Sequence, residues 1–128
     1  MVSPNIEKTK KTTEAKVPPV IISSTAFSSV SSPFTIPNFT IEDEIIMMTT
    51  NYFAGCNPVQ FRLVADTQVQ YSGTGIPIFN SKLILDNNDK CTYFMKKTVA
   101  FDLSPLEQVG HNEILLKIAD FGEVLYSY

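Results

Sequence analysis

From Pro33 to the last residue, apolar side chains recur at every second position, and turn residues interrupt them about every ten. A period of two places alternate side chains on opposite faces of an extended strand, whereas an amphipathic helix needs 3.6. In PFTIPNFTI, Phe34, Ile36 and Thr40 surround Pro37, which suits an edge strand. IIMMTT, Ile45 to Thr50, is a continuous apolar run ending in β-branched residues, as in a buried strand. VQFRLVAD sets Phe61, Leu63 and Ala65 against Gln60, Arg62 and Val64. TQVQYSG, IPIFNSKLIL, CTYFMKKTVAF, NEILLKIAD and EVLYSY continue the series, with Ile114, Leu116 and Ile118 facing inward. Phe61, Phe94 and Phe101 are read as core residues. Only IEDEIIMM and SPLEQV offer a helical turn, the first from a partial capping pattern at Thr40 and Glu44, the second stopped by Gly110. About eight short strands divided by turns predict an all-β fold, an antiparallel jelly-roll-like β-sandwich over residues 33–128.

Residues 1–32 differ in composition. They are rich in Ser, Thr, Lys and Pro, with Lys8, Lys10, Lys11 and Lys16 in a basic cluster and Pro18-Pro19 favouring extended backbone. Such a segment alone buries too little apolar surface to offset its ordering entropy. Val17, Val20, Ile21, Ile22, Phe27 and Val30 are nonetheless apolar, so the segment reads as an extended N-terminal arm docking on a neighbouring subunit. Val20, Ile22 and Phe27 are its expected anchors.

Charged residues make up 18% of the chain, below the roughly 25–35% of a freely soluble monomer's surface. This points to a surface covered by partners, either in a homo-oligomer or on a larger shell protein. A net charge of -3 exerts no general pull on nucleic acid. Arg62 is the sole arginine, so bidentate phosphate recognition has little to work with. No apolar run reaches membrane-spanning length, and no apolar stretch follows the N-terminal lysines as a signal peptide requires. Synthesis in the cytoplasm is therefore expected. Cys56 and Cys91 could form one pair, but small separate thiols are the simpler reading.

The motifs that could carry chemistry are incomplete. Gly73-Thr74-Gly75 lacks the Lys-Ser/Thr of a phosphate loop, and Pro77 stands where the helix should begin. Asp86-Asn87-Asn88-Asp89 offers oxygen ligands, yet the sixth and twelfth positions of a calcium loop hold Cys91 and Lys97. It reads as a polar hairpin turn. His111 is the only histidine, no serine lies in a GxSxG elbow, and Asp102 and Glu107 occupy turn or surface positions. No catalytic residue, metal or cofactor is assigned. The aromatics Tyr52, Phe53, Tyr71, Tyr93, Tyr126 and Tyr128 could stack on sugars or contact a protein.

FDLSPLEQVGHNEILLKIAD, Phe101 to Asp120, resembles the closing half of galactose-binding-domain-like jelly rolls. Phe101-Asp102-Leu103-Ser104, then Gly110 and Asn112, then Ile114-Leu116-Ile118 fit that pattern in order. FRLVADTQVQYSGTG looks like the same family's strand-turn-strand, with Ala65 and Asp66 at the turn. The resemblance covers roughly half the chain and implies fold more than function. Such domains bind carbohydrate, serve as accessory modules, or occur in viral and phage particles. The expectation is a non-enzymatic capsid, decoration or accessory component of a virion, its arm docked on neighbours. The alternative is a carbohydrate-binding module using Tyr52, Asp66 and Tyr71 to attach to glycans.

Overall fold

The computed structural model describes residues 17–128. Within them the chain forms eight strands: β1 Ile21–Ile22, β2 Thr35–Glu42, β3 Ile45–Ala54, β4 Gln60–Tyr71, β5 Pro77–Asp86, β6 Tyr93–Asp102, β7 Glu113–Ile118 and β8 Gly122–Ser127. A single helical turn, α1 Ser24–Phe27, follows β1, and a 3-10 turn occupies Ser104–Leu106. The strands form two sheets, one ordered β1-β4-β5-β7-β8 and the other β2-β3-β6. Pairing is mostly antiparallel. The exceptions are β1 with β4 and β5 with β7, which run parallel.

Alternation builds the core. Ile46 and Met48 from β3 meet Leu63, Leu83, Leu85, Ile114, Leu116 and Ile118 from the larger sheet, all essentially without exposure. Each such side chain contributes about 1.5–3 kcal/mol relative to an exposed one. The two fully buried hydroxyls are satisfied, Thr50 donating to the Lys97 carbonyl and Ser81 to the Lys117 carbonyl. At the C-terminus, Tyr126 is buried and its hydroxyl donates to Glu107 at 2.7 Å. Burial, reinforced by that carboxylate, pushes the phenol's ionisation well above its ordinary value.

Several local expectations change. The helical turn considered at IEDEIIMM is a tight hairpin between β2 and β3, with Asp43 at a positive φ of 54°. Ala65 and Asp66 do not form a turn: β4 runs unbroken through them, and a register shift between Ala65 and Val69 absorbs the irregularity. Phe94 leaves the core. It lies seven residues from Phe101 on one strand, and an odd separation puts the two on opposite faces.

The largest departure concerns residues 17–32, which pack on their own chain. The Asp102 amide donates to the Pro18 carbonyl, and the Val20 amide donates back to Asp102, so this segment touches the edge of the smaller sheet. Two residues on, Ile21 and Ile22 pair with Val64 and Ala65 at the edge of the larger one. One short segment thereby seals one side of the sandwich, and Val20 is enclosed in the core at its base.

The chain then crosses the outer face of the larger sheet. Ser23 caps α1 by accepting from the Ala26 amide, and the Phe27 ring lies 5.4 Å from the Lys82 ammonium. Beyond, the Ser32 amide donates to the Leu85 carbonyl, and the Leu85 amide donates to Ser31 Oγ. Val64 and Ile84, on the outer face by alternation, are completely covered. The basic cluster Lys8, Lys10, Lys11 and Lys16 lies outside the described residues.

Removing residues 1–32 is therefore expected to uncover Val20's niche, Val64 and Ile84, costing about 3 kcal/mol or more. Urea denaturation of the truncated and full chains checks this. An unchanged midpoint would show the segment to be dispensable to the fold.

Candidate functional site

Two crossovers carry the chain between sheets at one end of the sandwich, Gly55–Val59 from β3 to β4 and residues 87–92 from β5 to β6. They are locked together. Cys56 and Cys91 form a disulfide, with Cα atoms 5.9 Å apart and a sequence separation of 35. This corrects the expectation of two separate thiols. Closing a loop of that length restricts the unfolded chain by about 4 kcal/mol in the chain-entropy model.

Asp89 completes the clasp. Its Oδ2 accepts from the Cys56 and Asn57 amides at 2.7 and 2.8 Å, and its Oδ1 accepts from the Cys91 amide at 2.9 Å. These N–H donors, Asn57 foremost and then Cys91 and Cys56, hold the carboxyl below its ordinary value. Asn87 accepts from the Asp89 amide and donates to the Phe53 carbonyl, tying the loop to β3. Cys56, Asp89 and Cys91 bring their ligand-type atoms within 4.8 Å. The sulfurs are bonded to each other and the carboxylate is surrounded by amides, so the arrangement is a structural tie. The turn expected at Asp86–Asp89 is thus the centre of an inter-loop network.

Gly55 is required here on two counts. Its φ is +118°, and a Cβ would sit 2.6 Å from Tyr93 Cδ2. The missing side chain lets the Tyr93 ring lie against the backbone.

Against this rigid end stand three large aromatics: Phe53, Tyr93 and Phe94 are 59%, 67% and 62% exposed. Phe53 and Phe94 are cross-strand partners on β3 and β6, their rings edge-to-face at 6.0 Å. Beside them lies a mainly apolar cleft of about 340 Å³ lined by Pro33, Phe34, Asn51, Tyr52, Phe53 and Phe94. Asn51 Oδ1 is buried with no hydrogen-bond partner, the single side-chain atom of this kind among the described residues.

The residues expected to bind glycan do not converge. Tyr52 is only 6% exposed and packs on Phe61 at 5.4 Å, inside the sandwich. Tyr71 lies at the far end of the twelve-residue β4 from Phe61 and faces His111, whose ring is 6.1 Å away. Asp66, half-buried between them, accepts from the Thr67 amide. A strand of that length separates its ends by roughly 35 Å, so Tyr52 and Tyr71 cannot reach one small ligand. Asp102 and Glu107 are likewise separately engaged, with the Ser104 amide and the Tyr126 hydroxyl. Strand parity was the available signal for Phe53 and Phe94: both fall opposite the buried positions of their strands.

No protein-family model matches the chain, and no curated protein matches it in sequence. Solved structures of similar fold include a NigD-like immunity protein from Bacteroides caccae, with a TM-score of 0.63 and 16% identity over 85% of this chain and 58% of that one. A putative toxin-related protein from Parabacteroides distasonis gives 0.53 and 16%, over 85% of this chain and 60% of the other. A DUF1344 protein of unknown function from Bacteroides vulgatus gives 0.52 and 15%, over 88% and 56%. The chain spans less than two thirds of each of these structures, and identity this low shows the fold alone.

Replacing Asp89 with Asn should lower the urea midpoint at neutral pH. A carboxyl held below its ordinary value stabilises the fold above that value, and the contribution disappears as pH falls through the folded value. The gap between wild type and Asp89→Asn should therefore close below about pH 4, as denaturation from pH 2 to 6 would reveal. A constant gap would mean that the carboxylate's charge is immaterial.

Proposed function

We propose that this chain is a non-enzymatic recognition module that binds a partner protein through its disulfide-clasped aromatic end. The observation that carries this is the placement of Phe53, Tyr93 and Phe94. Phe53 and Phe94 stay in water on one face, with exposed Tyr93 on the other, at a part of the molecule tied by a disulfide, a five-bond Asp89–Asn87 network and a sterically required glycine. Exposed apolar patches mark interaction sites, and aromatic anchors dominate binding energy where they are held in place before contact. The adjoining cleft offers room for an apolar side chain.

The particular form we infer is an immunity-type role, in which the chain neutralises another protein by occupying it. The similarity to an immunity protein and a toxin-related protein is the support for that choice. The disulfide fits a protein working in an oxidising compartment, such as a periplasm or cell surface. That reading replaces a cytoplasmic setting.

An arm-mediated role in a virus or phage particle would need Val20, Ile22 and Phe27 free for a neighbour. Val20 is enclosed and Phe27 sits over Lys82, whereas Ile22 pairs with Ala65 through its backbone and keeps an exposed side chain. Attachment to glycans through Tyr52, Asp66 and Tyr71 would need those residues to share a surface. The jelly-roll and galactose-binding-like likeness extends to two layered sheets; the parallel pairs β1–β4 and β5–β7 depart from a wholly antiparallel jelly roll.

A photo-crosslinking amino acid at Phe94 is expected to trap an adduct of defined mass in the organism that makes the chain, lost on Phe53→Ser. The same residue at Lys117, away from this end, should trap none. Equal labelling at both positions, or none at either, would sink the proposal.

A further inference from the structure

The two open sides of the sandwich are treated differently. On one side, residues 18–22 bond to both β6 and β4 and close the seam between sheets. On the other side β2 and β8 are the outermost strands, and among the described residues nothing pairs with their outward edges. The two edges lie close together there, since a Cβ on Gly122 would stand 3.8 Å from Phe39 Cζ. Phe39, Ile41, Phe121 and Val124 are only partly buried. A free edge presents unpaired N–H and C=O groups, and proteins that keep such an edge single blunt it with proline, bulges, lysine or brevity. β2 carries Pro37 and a register shift between Thr35 and Asn38. β6 carries Lys96 and Lys97, and β1 is two residues long. β8, Gly-Glu-Val-Leu-Tyr-Ser, has no proline, no lysine and no bulge, and Glu123 is its single charge.

Its outward face carries one apolar side chain, Leu125, between Glu123 and Ser127. Ile78 on β5 pairs with Leu115 on β7, which pairs with Leu125 on β8, so one aliphatic row runs across the sheet and ends at the open edge. Leu125 is 48% exposed. We propose that β8 is a self-association edge and that its occupant is β8 of a second copy of this chain. The strand is complementary to itself when two copies run antiparallel about Leu125. Leu125 then meets its own counterpart, Val124 meets Tyr126, and Glu123 meets Ser127 rather than the other Glu123. No like charges oppose, the aliphatic row continues into the second sheet, and the two five-stranded sheets become one. Antiparallel cross-strand pairs of this kind are favourable where like charges directly opposite are not. The symmetry closes at two copies, as a two-fold interface must. A six-residue edge buries less than the roughly 1,600 Å² of a standard interface, so association is concentration-dependent. This edge lies apart from the aromatic end, and neither proposal requires the other.

The test is the mass of the full chain by light scattering over a concentration series. The expected result is a rise from the 14.3 kDa monomer toward twice that value. Leu125→Lys, which adds the charge that natural edges carry, should hold the chain at monomer mass with an unchanged melting curve. Phe94→Ser, at the aromatic end, should dimerise like wild type. Hydrogen exchange on the wild-type chain gives a readout that needs no variant: β8 amides should gain protection as concentration rises. Monomer mass throughout, or dimerisation untouched by Leu125→Lys and lost in Phe94→Ser, overturns the proposal. Exchange at β8 that ignores concentration overturns it as well.

Discussion

Apolar contact between the two sheets is what every other feature rests on. Ile46 and Met48 of the smaller sheet and Leu63, Leu83, Leu85, Ile114, Leu116 and Ile118 of the larger are withdrawn from water in one cluster with Phe79, Phe101 and Tyr126. A three-stranded sheet is narrower than a five-stranded one, so the lids must be made at the seams. Residues 18–22 make one of them. They bond to an edge of each sheet, and the enclosure of Val20 follows from that position. A segment that alone has too little apolar surface to fold becomes ordered because the sandwich supplies the missing face.

The ends of the sandwich follow a different logic. Crossovers between sheets cannot use the ladder of either one, so their backbone groups need other partners. At Cys56 and Cys91 the Asp89 carboxylate is such a partner, gathering three amides from both loops, and a disulfide joins the loops besides. The consequence is rigidity where loops are ordinarily mobile. Phe53, Tyr93 and Phe94 are presented from that rigid base, and a partner would meet rings already in place. At the far end the Tyr126 hydroxyl donates to Glu107, Tyr128 Oη accepts from the Gln108 amide and Ser72 Oγ accepts from the Ile76 amide, with no covalent tie among the described residues.

Much of this was legible before any coordinates. The strands from Pro33 onward, the edge character conferred by Pro37, the inward set Ile114, Leu116 and Ile118, and the single turn at Ser104–Leu106 all follow from spacing and turn chemistry. The aromatic site was half legible. Parity along β3 and β6 separates Phe53 from Tyr52 and Phe94 from Phe101, and counting positions rather than noting aromatic character would have found it. The resemblance puts Ala65 and Asp66 at a turn, but the pairing of β4 with β5 on either side holds the strand together.

What the sequence by itself determined is the period of the side chains, and with it an all-β chain having one apolar and one mixed face per strand. That is local physics, set by residues two apart. The tertiary structure decided which elements meet over long separations. It brought Cys56 to Cys91, gathered loop amides around Asp89, and laid residues 18–22 along the edges of both sheets. Those outcomes depend on which strand edges and faces the assembled sheets leave unfilled, a property that no single segment possesses until its neighbours are in place.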